Sequence, residues 1–95
     1  MNFSDKFQKT SQENNSLLCV GLDPDLDKIP ERFKKKKDPI FEFNKYIIGQ
    51  TYGLVCTYKP NIAFYEAYGI EGLKSLKKTF EYLKENYPNI PIILD

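Results

Sequence analysis

Three short apolar runs, residues 17–22 (LLCVGL), 54–58 (LVCTY) and 90–94 (IPIIL), divide the chain at intervals wide enough to hold a helix between each pair. Runs without polar alternation read as strands covered on both faces. The segments between them carry helical patterns. Asp38 supplies an N-cap, Pro39 the first helical position, and Ile40, Phe43 and Ile47 follow at spacings of three and four before Gly49 and Gly53. After Gly69, the apolar positions Leu73, Leu76, Phe80, Leu83 and Tyr87 recur at the same spacings, with Pro88 as a stop. Strand, helix, strand, helix, strand predicts an α/β fold with a parallel sheet and right-handed crossovers. No linker-like stretch interrupts this order, so residues 1–95 read as a single domain.

Two stretches fall outside the pattern. Residues 4–14 are polar, with Ser4 as a cap and Phe3 and Phe7 four apart, which predicts a short N-terminal helix with one weak apolar edge. Residues 26–37 show no period and end in four consecutive lysines, Lys34 to Lys37. A solvated loop is the reading that composition favours there.

The formal charge is +1, from 14 Lys and Arg against 13 Asp and Glu, so no global field draws the chain to nucleic acid or an anionic membrane. No apolar run approaches the roughly 20 residues of a membrane-spanning helix. Cys19 and Cys56 sit in apolar stretches, lack a C-x-x-C spacing, and have no His anywhere in the chain to share a metal. They read as reduced core thiols of a cytoplasmic protein.

Each predicted strand finishes on a charged residue: Asp23 after the first, Lys59 after the second, Asp95 at the end of the third. In barrels and open parallel sheets, ligands bind at the carboxyl ends of the strands. Any one of the three has an ordinary structural explanation as a turn, snorkelling or capping residue. Their shared placement at one rim argues for a site. Because side chains alternate along a strand, inward-facing Asp23, Lys59 and Asp95 would take Cys19, Thr57 and Ile93 with them and leave Cys56 on the other face. A disulfide between the two cysteines is then geometrically disfavoured. Asp25 and Asp27 read as turn chemistry. Tyr58, Phe64, Tyr65 and Tyr68 gather at the exit of the second strand, as core packing first and a base-stacking platform second.

The segments GLDPD at 21–25, KPNIAFYE at 59–66 and IILD at 92–95 resemble orotidine 5'-phosphate decarboxylases of the longer-barrel subgroup, in order and at successive strand ends. The resemblance implies a (β/α)8 barrel acting as a homodimer with sites at the subunit interface. It also implies conversion of orotidine 5'-phosphate to uridine 5'-phosphate, the last step of de novo pyrimidine synthesis, without metal or organic cofactor. On that basis Asp23 and Lys59 match residues that hydrogen-bond the substrate ribose, and Asn61 lies in the same motif as a further substrate-binding position. Asp95 matches the first aspartate of a catalytic D-x-K-x-x-D motif whose lysine protonates C6. That lysine and the second aspartate are expected two and five positions beyond Asp95.

A complete barrel takes about 250 residues. The chain is therefore expected to supply strands one to three and, taken alone, to be inactive. Met1 just before the short helix favours a free-standing protein over a fused one. Two other readings compete. One is a magnesium-dependent sugar-phosphate decarboxylase or synthase of the same barrel group, against which the Lys-Pro-Asn segment argues. The other is a catalytically silent fragment whose lysine loop serves protein contacts.

Overall fold

The computed structural model describes residues 18–95, so the predicted N-terminal helix and Leu17 lie outside the described residues. Two three-residue strands, β1 (Cys19–Gly21) and β2 (Thr57–Lys59), pair in parallel with Cys19 opposite Thr57 and Gly21 opposite Lys59. Four helices accompany them: α1 (Glu31–Lys34), α2 (Pro39–Thr51), α3 (Ile62–Glu66) and α4 (Gly69–Asn86).

The third predicted strand is present only as a single parallel bridge, Tyr58 to Ile92. Pro91 has no N–H to give to a ladder, and neither has Pro60 at the end of β2. The chain still tracks β2: Tyr58 N–H donates to Pro91 O at 3.2 Å, Ile93 N–H to Tyr58 O at 2.9 Å and Asp95 N–H to Pro60 O at 3.1 Å. Residues 90–95 thus lie on the far side of β2 from β1, in chain order.

Helix α2 begins where its sequence says it should. The Asp38 carboxylate accepts from Phe41 N–H at 3.2 Å and Pro39 occupies the first turn. Its buried stripe is rotated from the expected one, however: Ile40, Asn44 and Ile48 are buried, while Phe43 and Ile47 are half-buried. A similar correction applies to α4, whose buried face is Gly72, Ser75, Leu76, Thr79 and Leu83. Leu73 points out, 43% exposed. Gly72 has no side chain where α3 passes very close: a Cβ there would stand 2.1 Å from the Tyr65 carbonyl oxygen.

Two cores result. Leu22, Ile48, Val55, Tyr58, Leu83 and Ile90 fill the space between the sheet and the helices α2 and α4. Ile40, Tyr65 and Leu76 form a second cluster where α2, α3 and α4 meet. The 26–37 segment is more ordered than a solvated loop. Ile29 and Phe33 are buried, and the Phe33 ring meets Phe43 at 5.3 Å and Tyr46 at 5.4 Å, which anchors α1. Of the four lysines, Lys34 pairs with Glu31 at 3.3 Å and all are exposed.

Both cysteines are free. Cys56 is a buried thiol, donating to Leu18 O at 3.3 Å, and burial pushes its pKa up. Cys19 departs from the core reading, being exposed. It shares the sheet face of Gly21 and Lys59, both also exposed, whereas Thr57 on the same face is buried and bonds Pro91 O at 2.9 Å.

Candidate functional site

Parity places the rim residues as alternation requires. The register sets Cys19 beside Thr57 and Gly21 beside Lys59, so Asp23, two residues beyond Gly21, emerges on the side of Lys59. Tyr58, between them, faces the helices and is fully buried. Its phenol is pushed up to about 12 by burial, with the Thr51 hydrogen bond acting in the opposite sense.

At this rim the four candidate residues meet. Lys59 Nζ lies 3.2 Å from Asp95 Oδ2, with side chains 45% and 56% exposed. Asp23 Oδ1 accepts the Asn61 backbone N–H at 2.7 Å. The Asn61 side chain turns back to cap α3, its Oδ1 accepting from Phe64 N–H at 3.3 Å. Asp95 in turn is tied to this corner through its main chain, its carbonyl accepting Ile62 N–H at 2.9 Å. One cation and two carboxylates therefore stand at the ends of three adjacent parallel segments. The geometry can offer a donor and acceptors to a diol or other polyhydroxylated ligand. Exposure of the pair keeps it available, since solvated ion pairs hold together by only about 0–1 kcal/mol.

A Cβ at Gly21 would stand 3.4 Å from Asp23 Oδ2 and 3.9 Å from Lys59 O, ordinary contact distances, so the rim does not require glycine there. Asp25 keeps its structural role, accepting Asp27 N–H at 2.9 Å in a local turn. Among the aromatic residues, Tyr58 and Tyr65 are fully buried, while Phe64 packs edge-on against Tyr65 and Tyr68 at 5.6 and 5.3 Å. This is core packing. Among the described residues no cluster of His, Cys, Asp and Glu is placed to hold a metal ion, and no helix is long and apolar enough to cross a membrane.

Sequence reading missed α3, the helix that Asn61 caps. Its signal was available in Asn61 itself, a cap residue directly after Pro60, but five residues are too few to show a period. It placed Tyr65 in the core, as found, but did not foresee that the Tyr65 hydroxyl donates to the carbonyl oxygen of Leu22, the residue just before Asp23.

No family model matches the chain. Individual relatives do. Over 95 residues it is 50% identical to the orotidine 5'-phosphate decarboxylase of Leptospira interrogans, a match covering 100% of this chain and 34% of the relative. Over 83 residues it is 59% identical to that of Flavobacterium johnsoniae, covering 87% of this chain and 30% of the relative. The chain belongs to the orotidine 5'-phosphate decarboxylase family. It spans about a third of the length of the curated relatives it matches. Solved structures carry the family likeness into the fold. A Toxoplasma gondii chain described as an orotidine-monophosphate decarboxylase superposes with a TM-score of 0.85 at 35% identity, covering 99% of this chain and 30% of that one. The Leishmania donovani OMP decarboxylase gives 0.75 at 30% identity, covering 100% and 33%. The parallel strand pair with its helices is thus part of a (β/α)8 barrel.

Proposed function

We propose that the protein carrying this chain decarboxylates orotidine 5'-phosphate to uridine 5'-phosphate, closing de novo pyrimidine nucleotide synthesis, with residues 1–95 as part of one barrel domain. The observation that carries this reading is the meeting of Asp23, Lys59, Asn61 and Asp95 at one rim, with the Lys59–Asp95 pair at 3.2 Å. Asp23 and Lys59 have the chemistry to bind the ribose hydroxyls, with Asn61 beside them. Asp95 holds the charge and position of a neighbouring cation.

Loss of carbon dioxide breaks the bond between C6 and the carboxylate and leaves the electron pair on C6. A cation held at that carbon stabilises the growing charge, and a lysine is able to deliver the proton that completes the product. The balance requires only a proton, so neither metal nor organic cofactor enters the scheme. The two free thiols fit a reducing, cytoplasmic setting. A homodimer follows from the family resemblance alone.

The test is carbon dioxide release from orotidine 5'-phosphate by the full chain as the gene encodes it, with and without a metal chelator. Turnover that the chelator does not change is expected, and Asp95→Asn is expected to lower it by about a hundredfold or more. Loss of stability in that variant should stay below about 1 kcal/mol, because the Lys59 pair is solvated. Turnover that needs magnesium would instead indicate a sugar-phosphate enzyme of the same barrel group. A full chain that neither turns over nor binds uridine 5'-phosphate would refute the decarboxylase reading.

A further inference from the structure

Leu22 is the last residue before Asp23, and its environment is unusually determined. Its side chain is buried, its N–H donates to Lys59 O at 3.4 Å, and its carbonyl accepts the Tyr65 hydroxyl. Tyr65 comes from α3 and is fully buried. Behind it stands Asn44 of α2, also buried, whose Nδ2 donates to the Tyr65 hydroxyl at 3.0 Å and to Thr79 Oγ1 of α4 at 3.0 Å.

These bonds fix one direction for every proton. An amide nitrogen has two hydrogens and spends both on the two hydroxyls, so each hydroxyl must send its own hydrogen elsewhere. Thr79 sends its hydrogen to Ser75 O at 2.9 Å, and Tyr65 sends its hydrogen to Leu22 O. The opposite amide orientation would draw both hydroxyl hydrogens to Asn44 and leave the Leu22 and Ser75 carbonyls without these partners. Burial pushes the Tyr65 phenol up, the Asn44 hydrogen bond opposes that rise, and the charge of Asp23 adds to it. Tyr65 therefore stays a donor across the working pH range and lies within electrostatic reach of the Asp23 carboxylate.

We infer that Tyr65, oriented by Asn44, is a positioning residue that fixes the Leu22–Asp23 peptide and thereby aims the Asp23 carboxylate at the ligand. The inference rests on the decarboxylase reading, in which Asp23 meets the ribose hydroxyls. It adds a residue that touches no substrate and acts through the main chain. Three helices are then coupled to one carboxylate, and Asp23 is held at both ends, by Leu22 behind it and by Asn61 N–H in front.

The experiment compares binding of uridine 5'-phosphate with that of its 2',3'-dideoxy analogue by the full chain, in the wild type and in Tyr65→Phe, Asn44→Leu and Asp23→Asn. Thermal melts accompany each titration. A wild type that prefers the ribonucleotide, with that preference lost in Asp23→Asn and narrowed about tenfold in Tyr65→Phe, supports the inference. Asn44→Leu should narrow it about threefold, since Tyr65 keeps its hydroxyl but loses its orientation, and this variant carries the test if Tyr65→Phe does not fold. Phe33→Leu, a buried change where α1 docks on Phe43 and Tyr46 and outside the cluster that holds Leu22, should lower the melting temperature and leave the preference intact. Tyr65→Phe or Asn44→Leu that folds and retains the full ribose preference overturns the positioning role while leaving the decarboxylase reading standing. No binding of uridine 5'-phosphate by the wild type overturns both.

Discussion

Gly72 offers a sharp test of how α3 and α4 are packed, because ordinary helix rules predict the opposite result. A glycine within a helix normally costs up to about 1 kcal/mol relative to alanine, so Gly→Ala should stabilise. At Gly72 the added Cβ would stand 2.1 Å from Tyr65 O and 2.8 Å from Tyr68 Cβ. The first distance is about 1 Å inside normal contact, and the offending atom is backbone, so no side chain can swing aside to relieve it. Overpacking of this kind costs about 1–3 kcal/mol, and a clash that only a helix shift can relieve belongs at the upper end. Setting the propensity gain against it leaves Gly72→Ala about 2 kcal/mol less stable than the wild type. Gly49, in the exposed part of α2, provides the contrast, since nothing lies within 4 Å of its added Cβ. Gly49→Ala should therefore gain about 0.5–1 kcal/mol. Urea unfolding of both variants in the full chain, with midpoints compared at equal slope, measures the gap. Gly72→Ala as stable as Gly49→Ala would refute the close approach of α3 to α4.

Asp38→Ala should cost about 1–2 kcal/mol, measured by the same unfolding experiment, because the carboxylate caps α2 through Phe41 N–H and also accepts from Ser75 Oγ at 2.7 Å and Lys78 Nζ at 3.2 Å. Asp38→Asn, which keeps the cap oxygen, should recover much of that loss. Alkaline pH should destabilise the fold through its two buried tyrosines. Tyr58 is pushed up to about 12 and Tyr65 moves in the same direction, both chiefly by burial. An unfolded phenol ionises near about 10, so the stability these groups contribute is complete below that pH and falls as pH rises toward 12. Unfolding midpoints that stay level between pH 9 and 11.5 would contradict this.

What could be read from the sequence was what local chemistry determines. Asp38-Pro39 specifies a helix start whatever surrounds it, and the alternation of a strand fixes which of Thr57, Tyr58 and Lys59 share a face. For that reason Asp23, Lys59 and Asp95 could be placed at one rim from their strand ends alone. The third strand was over-read because the apolar run was given more weight than Pro91 within it, which withholds its N–H from the ladder. α1 and α3 were missed because four and five residues cannot show a period; Phe33 and Tyr65 make them helices by docking onto the rest of the fold. Leu73 was misplaced because hydrophobicity ranks it above Ser75 and Thr79, whereas those two turn inward to hydrogen-bond Asp38 and Asn44 at the α2 side.

The same bias concealed the network that reaches the site. Asn44 lies four residues after Ile40 and four before Ile48, in the middle of a buried helical stripe, which is a position where a polar side chain must find partners or cost the fold free energy. An amide there is a sign that something across the core needs to be oriented. Thr79 and Tyr65 meet that requirement from two other helices, and neither is near Asn44 in sequence. Rim residues could be found one strand at a time because the barrel places them by rule. The group that aims one of them depends on three helices at once, and it became readable only when the folded chain brought Asn44, Tyr65 and Leu22 into line.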